Sequence, residues 1–225
     1  MYFIEKNINK LKRGEQTLFL NEIEYKKILS VIPKNTYNIF YPFIDSNKYI
    51  IYKERLEIKL YEIILNGTIK HSDILGSLLS LNIDEHLIGD IICTNNRYYM
   101  YISSSISNYI ETNLIKIKNY NIKLEELDIN YLKDYQVEYE KINIIVSSLR
   151  SDNLISKLIK TSRDIVKDMI KDKLIKINYE LLNKSSYIIK ENDIISIRKY
   201  GKYRFIGIMK ETKKDNYLIE VNKYK

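Results

Sequence analysis

The chain has 225 residues, of which 45% are hydrophobic, so it is long enough and apolar enough to bury one or more cores. It has no run of roughly 18 apolar residues and no basic-then-apolar signal at its N-terminus, so we expect a cytoplasmic protein with no membrane partner. The single cysteine, Cys93, excludes an internal disulfide and lies among apolar residues, where we expect a buried thiol.

The positive charge is concentrated at one end of the chain. Residues 143–225 hold 19 of the 37 lysines and arginines but 10 of the 29 acidic residues, which gives a net charge of +9. Residues 1–142 carry a net charge of −1. Such a local excess is typical of a nucleic-acid-binding module, although a surface that meets a membrane or an acidic partner would have the same charge.

The first predicted segment, residues 1–66, contains one helix and extended stretches. The helix is predicted over residues 21–30, before Pro33, and the strands over residues 49–52 and 56–65. Nothing in this segment indicates a chemical function.

The second predicted segment, residues 67–142, has the pattern of a split βαβ domain. Its elements are a helix capped by Ser72, strands at 91–93 and 98–102, a helix over 103–114 and a closing strand over 137–146. Together with the strand at 56–65, the order is β-α-β-β-α-β, which is that of ferredoxin-like and RRM-like domains.

The third predicted segment, residues 143–225, begins with two short helices. Ser151 or Asp152 is predicted to cap the first helix, and Thr161-Ser162 the second. Strands are predicted over 174–178, 194–199 and 205–209.

On the second helix, Arg163, Lys167 and Lys171 are spaced at i, i+4 and i+8 and therefore share one face. This row suits a phosphate backbone. An aspartate follows each cation, however, so ordinary ion pairing on a solvated face explains the pattern equally well.

Two stretches of this segment resemble a known family. The sequence LRSDNLISKLIKTSRDIVKDMIKDKLIKIN, followed by IKENDIISIRKYGKYRF, is similar to the S4 RNA-binding domain. The similarity lies in Arg150 and Asp152, in Ser162-Arg163, in the stretch 175–178 and in the strand from Asp193 to Arg198. HSDILGSLLSLNIDEHLIGDII and IIVSSLRSD resemble the YlmH family, whose members carry an S4 domain behind an RRM-like domain.

The resemblance covers residues 68–210 and implies an α+β fold in three parts. These are an N-terminal segment over 1–66, an RRM-like domain over 67–142 and an S4 domain with C-terminal strands over 143–225. It also implies conformations at single positions. Many S4 domains have Gly where this chain has Lys173, Tyr179 and Asn192, so we expect positive φ there.

The same resemblance implies a non-enzymatic protein that binds rRNA and tRNA on the large ribosomal subunit, in quality control of stalled nascent chains. It implies no cofactor, metal or catalytic residue, and it leaves a quality-control protein factor as a further partner; we expect a monomer. The residues implied to contact RNA are Arg150, Ser162, Arg163, Lys167, Lys171, Lys173, Lys176, Lys199, Lys202 and Arg204. Asp152 is expected to be a cap or an arginine partner, and Asn178 to serve the turn.

Other functions stay open at this point. S4 domains also occur in pseudouridine synthases, rRNA methyltransferases and tyrosyl-tRNA synthetases, and a ribosome assembly factor is a further alternative. The chain has no GxGxG loop and lacks the HIGH and KMSKS patterns, whereas a pseudouridine synthase needs only an aspartate nucleophile. His71 and His86 have no nearby cysteine and do not predict a zinc site.

The middle domain offers a further alternative. It could meet a protein factor, or it could stack RNA bases on Tyr98, Tyr99 and Tyr101, as the central strands of RNA-binding RRM sheets do.

Overall fold

The structure, a computed structural model, describes residues 2–212 and 215–224. The chain forms two compact units, Met1–Gln136 and Val137–Lys225. Helices and antiparallel sheets are present in both, which confirms the α+β class. Within the described ranges, no helix is long and apolar enough to cross a bilayer.

The charge difference between the two ends of the chain is clearest when the chain is divided at the boundary between the units. The second unit contains 20 of the 37 basic and 12 of the 29 acidic residues, so the first unit is left with 17 of each. The first unit is therefore neutral, and the whole net charge of +8 belongs to the second.

The N-terminal part of the first unit contains α1 (Tyr2–Lys12), α2 (Glu22–Leu29), β1 (Asn38–Phe40) and β2 (Ile50–Tyr52). Asn21 caps α2, because its side-chain oxygen accepts hydrogen bonds from the backbone N–H of Ile23 and of Glu24, both at 3.0 Å. The helix predicted over residues 21–30 is confirmed. Helix α1 was not predicted, although Ile4, Ile8 and Leu11 form an apolar stripe that packs into this core.

The rest of the first unit consists of β3 (Ile58–Ile64), α3 (His71–Ser80), β4 (Ile88–Thr94), β5 (Arg97–Ser103), α4 (Ser107–Asn113), β6 (Lys116–Ile117), β7 (Tyr120–Asn121) and β8 (Lys123–Leu127). Short 3-10 helices lie at Glu85–Leu87 and Ser104–Ile106. Strands β3, β4, β5 and β8 form an antiparallel sheet in the order β4-β5-β3-β8. The predicted β-α-β-β-α-β order is present, with the β6-β7 hairpin inserted before the last strand.

Two details of the predicted middle domain are wrong. The strand that closes its sheet is β8, which pairs with β3, and not residues 137–146. Strand β8 has only two apolar residues in KLEEL, and this weak alternation hid it. The cap of α3 is also displaced, because the backbone N–H of Lys70 donates to the Asp73 carboxylate at 2.7 Å and the helix begins one residue before Ser72.

Both faces of the middle sheet are covered. Helices α3 and α4 bury one face, which includes Tyr98. On the other face the side chains of Tyr99 and Tyr101 are only 2% and 0% exposed. The hydroxyl of Tyr101 donates to the carbonyl of Ile129 at 3.0 Å, and the ring of Tyr99 lies 6.0 Å from that of Tyr131. The hypothesis that these tyrosines stack RNA bases is therefore wrong for this fold.

The second unit comprises β9 (Tyr139–Val146), α5 (Ser151–Leu158), α6 (Arg163–Lys171), β10 (Ile175–Ile177), β11 (Glu180–Leu181), β12 (Ile194–Ile197), β13 (Gly201–Glu211) and β14 (Tyr217–Tyr224). Its antiparallel sheet has the order β11-β10-β12-β13-β14-β9. Strand β9, which was predicted to close the middle domain, is an edge strand of this sheet. A division of the first unit near residue 66 stays a prediction.

Helices α5 and α6 pack on one face of this sheet. Leu154, Val166 and Met169 from the helices share a core with strand residues that include Ile195 and Phe205. Because successive strand residues point to opposite faces, the neighbours of these core residues project from the side away from the helices.

Candidate nucleic-acid interface

A fully buried carboxylate organises the start of the two helices. Arg150 donates to both oxygens of Asp152, at 3.2 Å from Nε and 3.1 Å from a terminal nitrogen. Arg163, the first residue of α6, donates to Asp152 Oδ2 at 2.7 Å. The side chain of Asp152 has no solvent exposure, whereas those of Arg150 and Arg163 are 40% and 48% exposed. Asp152 is therefore the arginine partner that was expected, and it holds two guanidinium groups at the surface.

The ion pairs decide the charge state of Asp152. Burial alone would raise the pKa of its carboxyl group, but the hydrogen bonds from Arg150 and Arg163 outweigh this effect and lower the pKa to about 2. Asp152 is thus ionised at neutral pH. The cluster of three side chains has a net charge of +1 and presents that charge on the two arginines.

The cap of α5 differs from the prediction. Neither Ser151 nor Asp152 occupies the N-cap position, which belongs to Arg150, and the side chain of Arg150 makes no capping hydrogen bond. The backbone N–H of Ser151 donates instead to the carbonyl of Tyr187 at 2.7 Å, and that of Asp152 to the carbonyl of Ser185 at 3.1 Å. A distant loop therefore replaces the local cap, and local sequence could not reveal it.

Helix α6 carries the predicted cationic row. The hydroxyl of Ser162 accepts from the backbone N–H of Ile165 at 3.2 Å, which confirms the N-cap and gives this hydroxyl a structural task. Val166, Met169 and Ile170 are buried, so at 100° per residue the row of Arg163, Lys167 and Lys171 lies beside the core-facing side.

The lysines of the row pair with aspartates of the same helix. Lys167 contacts Asp164 at 2.8 Å and Lys171 contacts Asp168 at 3.1 Å, with all four side chains well exposed. Exposed pairs of this kind contribute about 0 to 1 kcal/mol, so a phosphate group can replace the aspartate at little cost. The ion pairing foreseen as the alternative explanation is present, and it is compatible with anion binding.

The turns next to the helices adopt the expected conformations. Lys173 follows α6 with φ of 58°, Tyr179 has φ of 69° and Asn192 has φ of 67°. Asn178 serves its turn as expected, because its amide donates to Asp193 Oδ1 at 2.7 Å and its carbonyl oxygen accepts from Ile194 N at 2.8 Å. Lys173 is exposed beside the end of the cationic row.

The remaining predicted RNA contacts lie elsewhere. Lys176, Lys202 and Arg204 alternate with core residues of β10 and β13 and so project from the sheet face opposite the helices. Lys202 lies 4.8 Å from the ring centre of Tyr224 and 5.1 Å from that of Tyr179. Lys199 is in the β12-β13 turn with φ of 73°. The structure thus divides most of the residues predicted to contact RNA between two surfaces, the face formed by the helices and the sheet face opposite the helices.

The helix face is defined here as Arg150, Arg163, Lys167, Lys171 and Lys173. Its chemistry is that of a row of cations anchored at one end by a buried acid, which suits a polyanion. Among the residues that the structure describes, no three His, Cys, Asp or Glu side chains meet in a metal-binding cluster. Burial raises the pKa of the Cys93 thiol to about 11, which disfavours the reactive thiolate.

Comparison with known proteins bears on the first unit. Residues 53–131 match the family model described as a putative RNA-binding domain in YlmH. This stretch is therefore similar to the RNA-binding domain of the YlmH proteins. The matched range runs from before β3 to just after β8, which agrees with β8 as the closing strand of the YlmH-type domain.

Two further proteins are similar to this chain. Ribosome-associated protein quality control protein P2 of Bacillus subtilis (strain 168) is 27% identical over 158 residues, which is 70% of this chain. The match spans 62% of the length of that protein. The solved structure of cell division protein ylmH from Streptococcus pneumoniae superposes with a TM-score of 0.49 at 19% identity, covering 59% of this chain and 93% of that one. The predicted resemblance to the YlmH family is confirmed.

Proposed function

We propose that this protein is a non-enzymatic RNA-binding protein of ribosome-associated quality control. It binds rRNA and tRNA on the large ribosomal subunit while a stalled nascent chain is rescued, and it acts in the cytoplasm. The observation that carries the proposal is the helix face, where Asp152 anchors two arginines at the head of a row of lysines.

Three further observations support this function. The net charge of +8 lies entirely in the unit that carries the helix face. The neutral first unit contains the stretch matched to a putative RNA-binding domain. The Bacillus subtilis relative is named for ribosome-associated quality control. A quality-control protein factor would then meet a part of the surface other than the helix face.

Removing part of the cationic row tests RNA binding directly. The variant Lys167→Ala with Lys171→Ala leaves the core and the Asp152 cluster intact, because both side chains are exposed and pair only on the helix surface. We expect weaker binding to a labelled RNA stem-loop, and a log-log salt dependence that is shallower by about 0.7 to 0.9 for each lost phosphate contact. The matched control is Lys26→Ala with Lys27→Ala, two exposed lysines of α2 in the neutral unit, outside the stretch matched to a putative RNA-binding domain. Equal slopes for the two variants would refute the helix-face assignment.

Sedimentation with ribosomal subunits tests the cellular role. We expect the tagged protein to sediment with purified large subunits at low salt and to dissociate at high salt, and the double lysine variant to dissociate at lower salt. Failure of the protein to sediment with large subunits at every salt concentration would contradict a ribosomal role.

A further inference from the structure

Residues 183–189 form a loop that is bonded along its length to the start of α5. Its carbonyl groups at Ser185 and Tyr187 accept from the first two backbone N–H groups of that helix, at 3.1 and 2.7 Å. The Ser151 hydroxyl donates to the same Ser185 carbonyl at 2.9 Å, and the backbone N–H of Ile189 donates to Leu149 at 2.9 Å. The position of the loop relative to Arg150 and Asp152 is therefore determined by several hydrogen bonds.

These bonds change how an anion can bind at this point. The first N–H groups of a helix often hold a phosphate, but here the loop carbonyls occupy those of Ser151 and Asp152. The backbone N–H of Asn153 is also used, because it donates to the Asp152 carboxylate at 2.8 Å. A phosphate that meets this surface must therefore be held by side chains.

The loop supplies side chains suited to that task. Lys184 and Ser186 are exposed, and the carbonyl of Lys184 accepts at 3.4 Å from the hydroxyl of Ser151, the residue between Arg150 and Asp152 in the chain. Residues 183–190 include no acidic residue. Lys184 therefore adds a cation to the loop that caps α5, and no carboxylate of the loop opposes it.

We propose that Lys184 and Ser186 form the second wall of a phosphate pocket whose first wall is Arg150 and Arg163. This inference rests on the proposed RNA-binding function and adds to it a contact on a segment distant in the chain. The lysine provides charge and the serine a hydroxyl donor, while the loop carbonyls that cap α5 hold both in place. RNA thus contacts the helix face and the loop together.

A salt titration with a labelled RNA stem-loop tests the pocket. We expect Lys184→Ala to weaken binding and to reduce the salt-dependence slope by about 0.7 to 0.9, the loss of one phosphate contact. Lys184→Arg should restore the slope because it keeps the cation. The matched control is Lys190→Ala, another exposed lysine just after the loop, which should leave the slope unchanged.

The outcomes separate the two proposals. If Lys167→Ala with Lys171→Ala reduces the slope but Lys184→Ala does not, the pocket is refuted and RNA binding by the helix face stands. Equal losses for Lys184→Ala and Lys190→Ala would show an effect of overall charge and would also refute the pocket. If none of these variants changes the slope, RNA binding by the helix face itself fails.

Discussion

At the scale of single residues, Asp152 connects stability to function. A carboxylate without solvent exposure would be costly on its own, and the hydrogen bonds from Arg150 and Arg163 compensate that cost. The same bonds restrict the two arginines to one place on the surface. The proposed interface would therefore be preorganised, because its arginines would not have to be ordered on RNA binding.

Replacing Asp152 tests this link. Because the pKa of Asp152 is lowered from 3.8 to about 2, its ionisation stabilises the fold above about pH 4, and this contribution is lost as the pH falls toward 2. We expect Asp152→Asn to lower the free energy of unfolding by about 2 kcal/mol at neutral pH, and by less under acid conditions. Urea unfolding at several pH values measures both effects.

The control for this experiment is Asp172→Asn, an exposed aspartate just after α6. We expect its unfolding free energy to change by less than about 0.5 kcal/mol. A pH-independent difference between wild type and Asp152→Asn would contradict an ionised Asp152.

At the scale of elements, the middle sheet shows that an RRM-like strand order does not ensure an RRM-like binding face. Tyr101 is fully buried and its ring lies 6.1 Å from that of Phe40, a residue of the N-terminal part. That part of the chain covers the sheet face that RRM domains offer to RNA. In the YlmH-type domain of this protein, the aromatic side chains of this face serve the core.

Tyr101→Phe distinguishes a core role from base stacking. The variant loses the hydrogen bond to the Ile129 carbonyl, and we expect it to lower the free energy of unfolding by about 1 kcal/mol. The RNA affinity of the folded protein should stay unchanged. The exposed Tyr109 offers the matched control Tyr109→Phe, with little expected effect on either quantity. Lower RNA affinity at unchanged stability of Tyr101→Phe would contradict the buried arrangement.

A substitution at Gly89 on β4 tests how closely the N-terminal part packs against the middle sheet. A Cβ atom at this position would lie 2.7 Å from the ring of Phe19 and 2.8 Å from Tyr101 Cβ. We expect Gly89→Ala to destabilise the first unit by about 1 to 3 kcal/mol through overpacking. Thermal unfolding monitored by circular dichroism measures this change.

The matched control is Gly76→Ala on α3, where no atom lies within 4 Å of the added Cβ. It should stabilise the protein by about 0.5 to 1 kcal/mol, because alanine favours the helix. Equal effects of the two substitutions would contradict the close packing at Gly89.

At the scale of the whole molecule, the division of the chain into two units also separates its hydrophobic cores and its net charge. The second unit has its own core and the entire net charge, and its sheet includes β9 at one edge. All eight residues of β9 pair with β14, from Tyr139–Tyr224 to Val146–Tyr217. A second unit that begins at residue 143 would lose half of this strand.

Two fragments test this boundary. We expect residues 137–225 to fold, to bind an RNA stem-loop and to keep the salt-dependence slope of the full chain, because the first unit is neutral. Residues 143–225 should unfold at a lower denaturant concentration, since half of β9 is missing. Equal stability of the two fragments would contradict the assignment of β9 to this sheet, and a much shallower slope for 137–225 would place RNA contacts in the first unit.

Local patterns in the sequence were enough for some features. The cap Ser162 was predicted because a cap bonds to N–H groups two or three residues away. Positive φ at Lys173 and Asn192 followed from the resemblance to S4 domains, and the cationic row on α6 from helical spacing. Each of these depends on residues that are close together in the chain.

The sequence by itself thus determined the order of most elements, the N-cap of α6 and the concentration of charge in the C-terminal part. Only the tertiary structure decided that β8 closes the middle sheet, that distant carbonyls cap α5 and that Lys202 and Arg204 project away from the helix face. The physical reason is that helices and strands have fixed periods, so the spacing of apolar and charged residues along the chain is enough to indicate them. The pairing of distant strands, and the face that a helix covers, depend on how all the apolar surfaces are buried together.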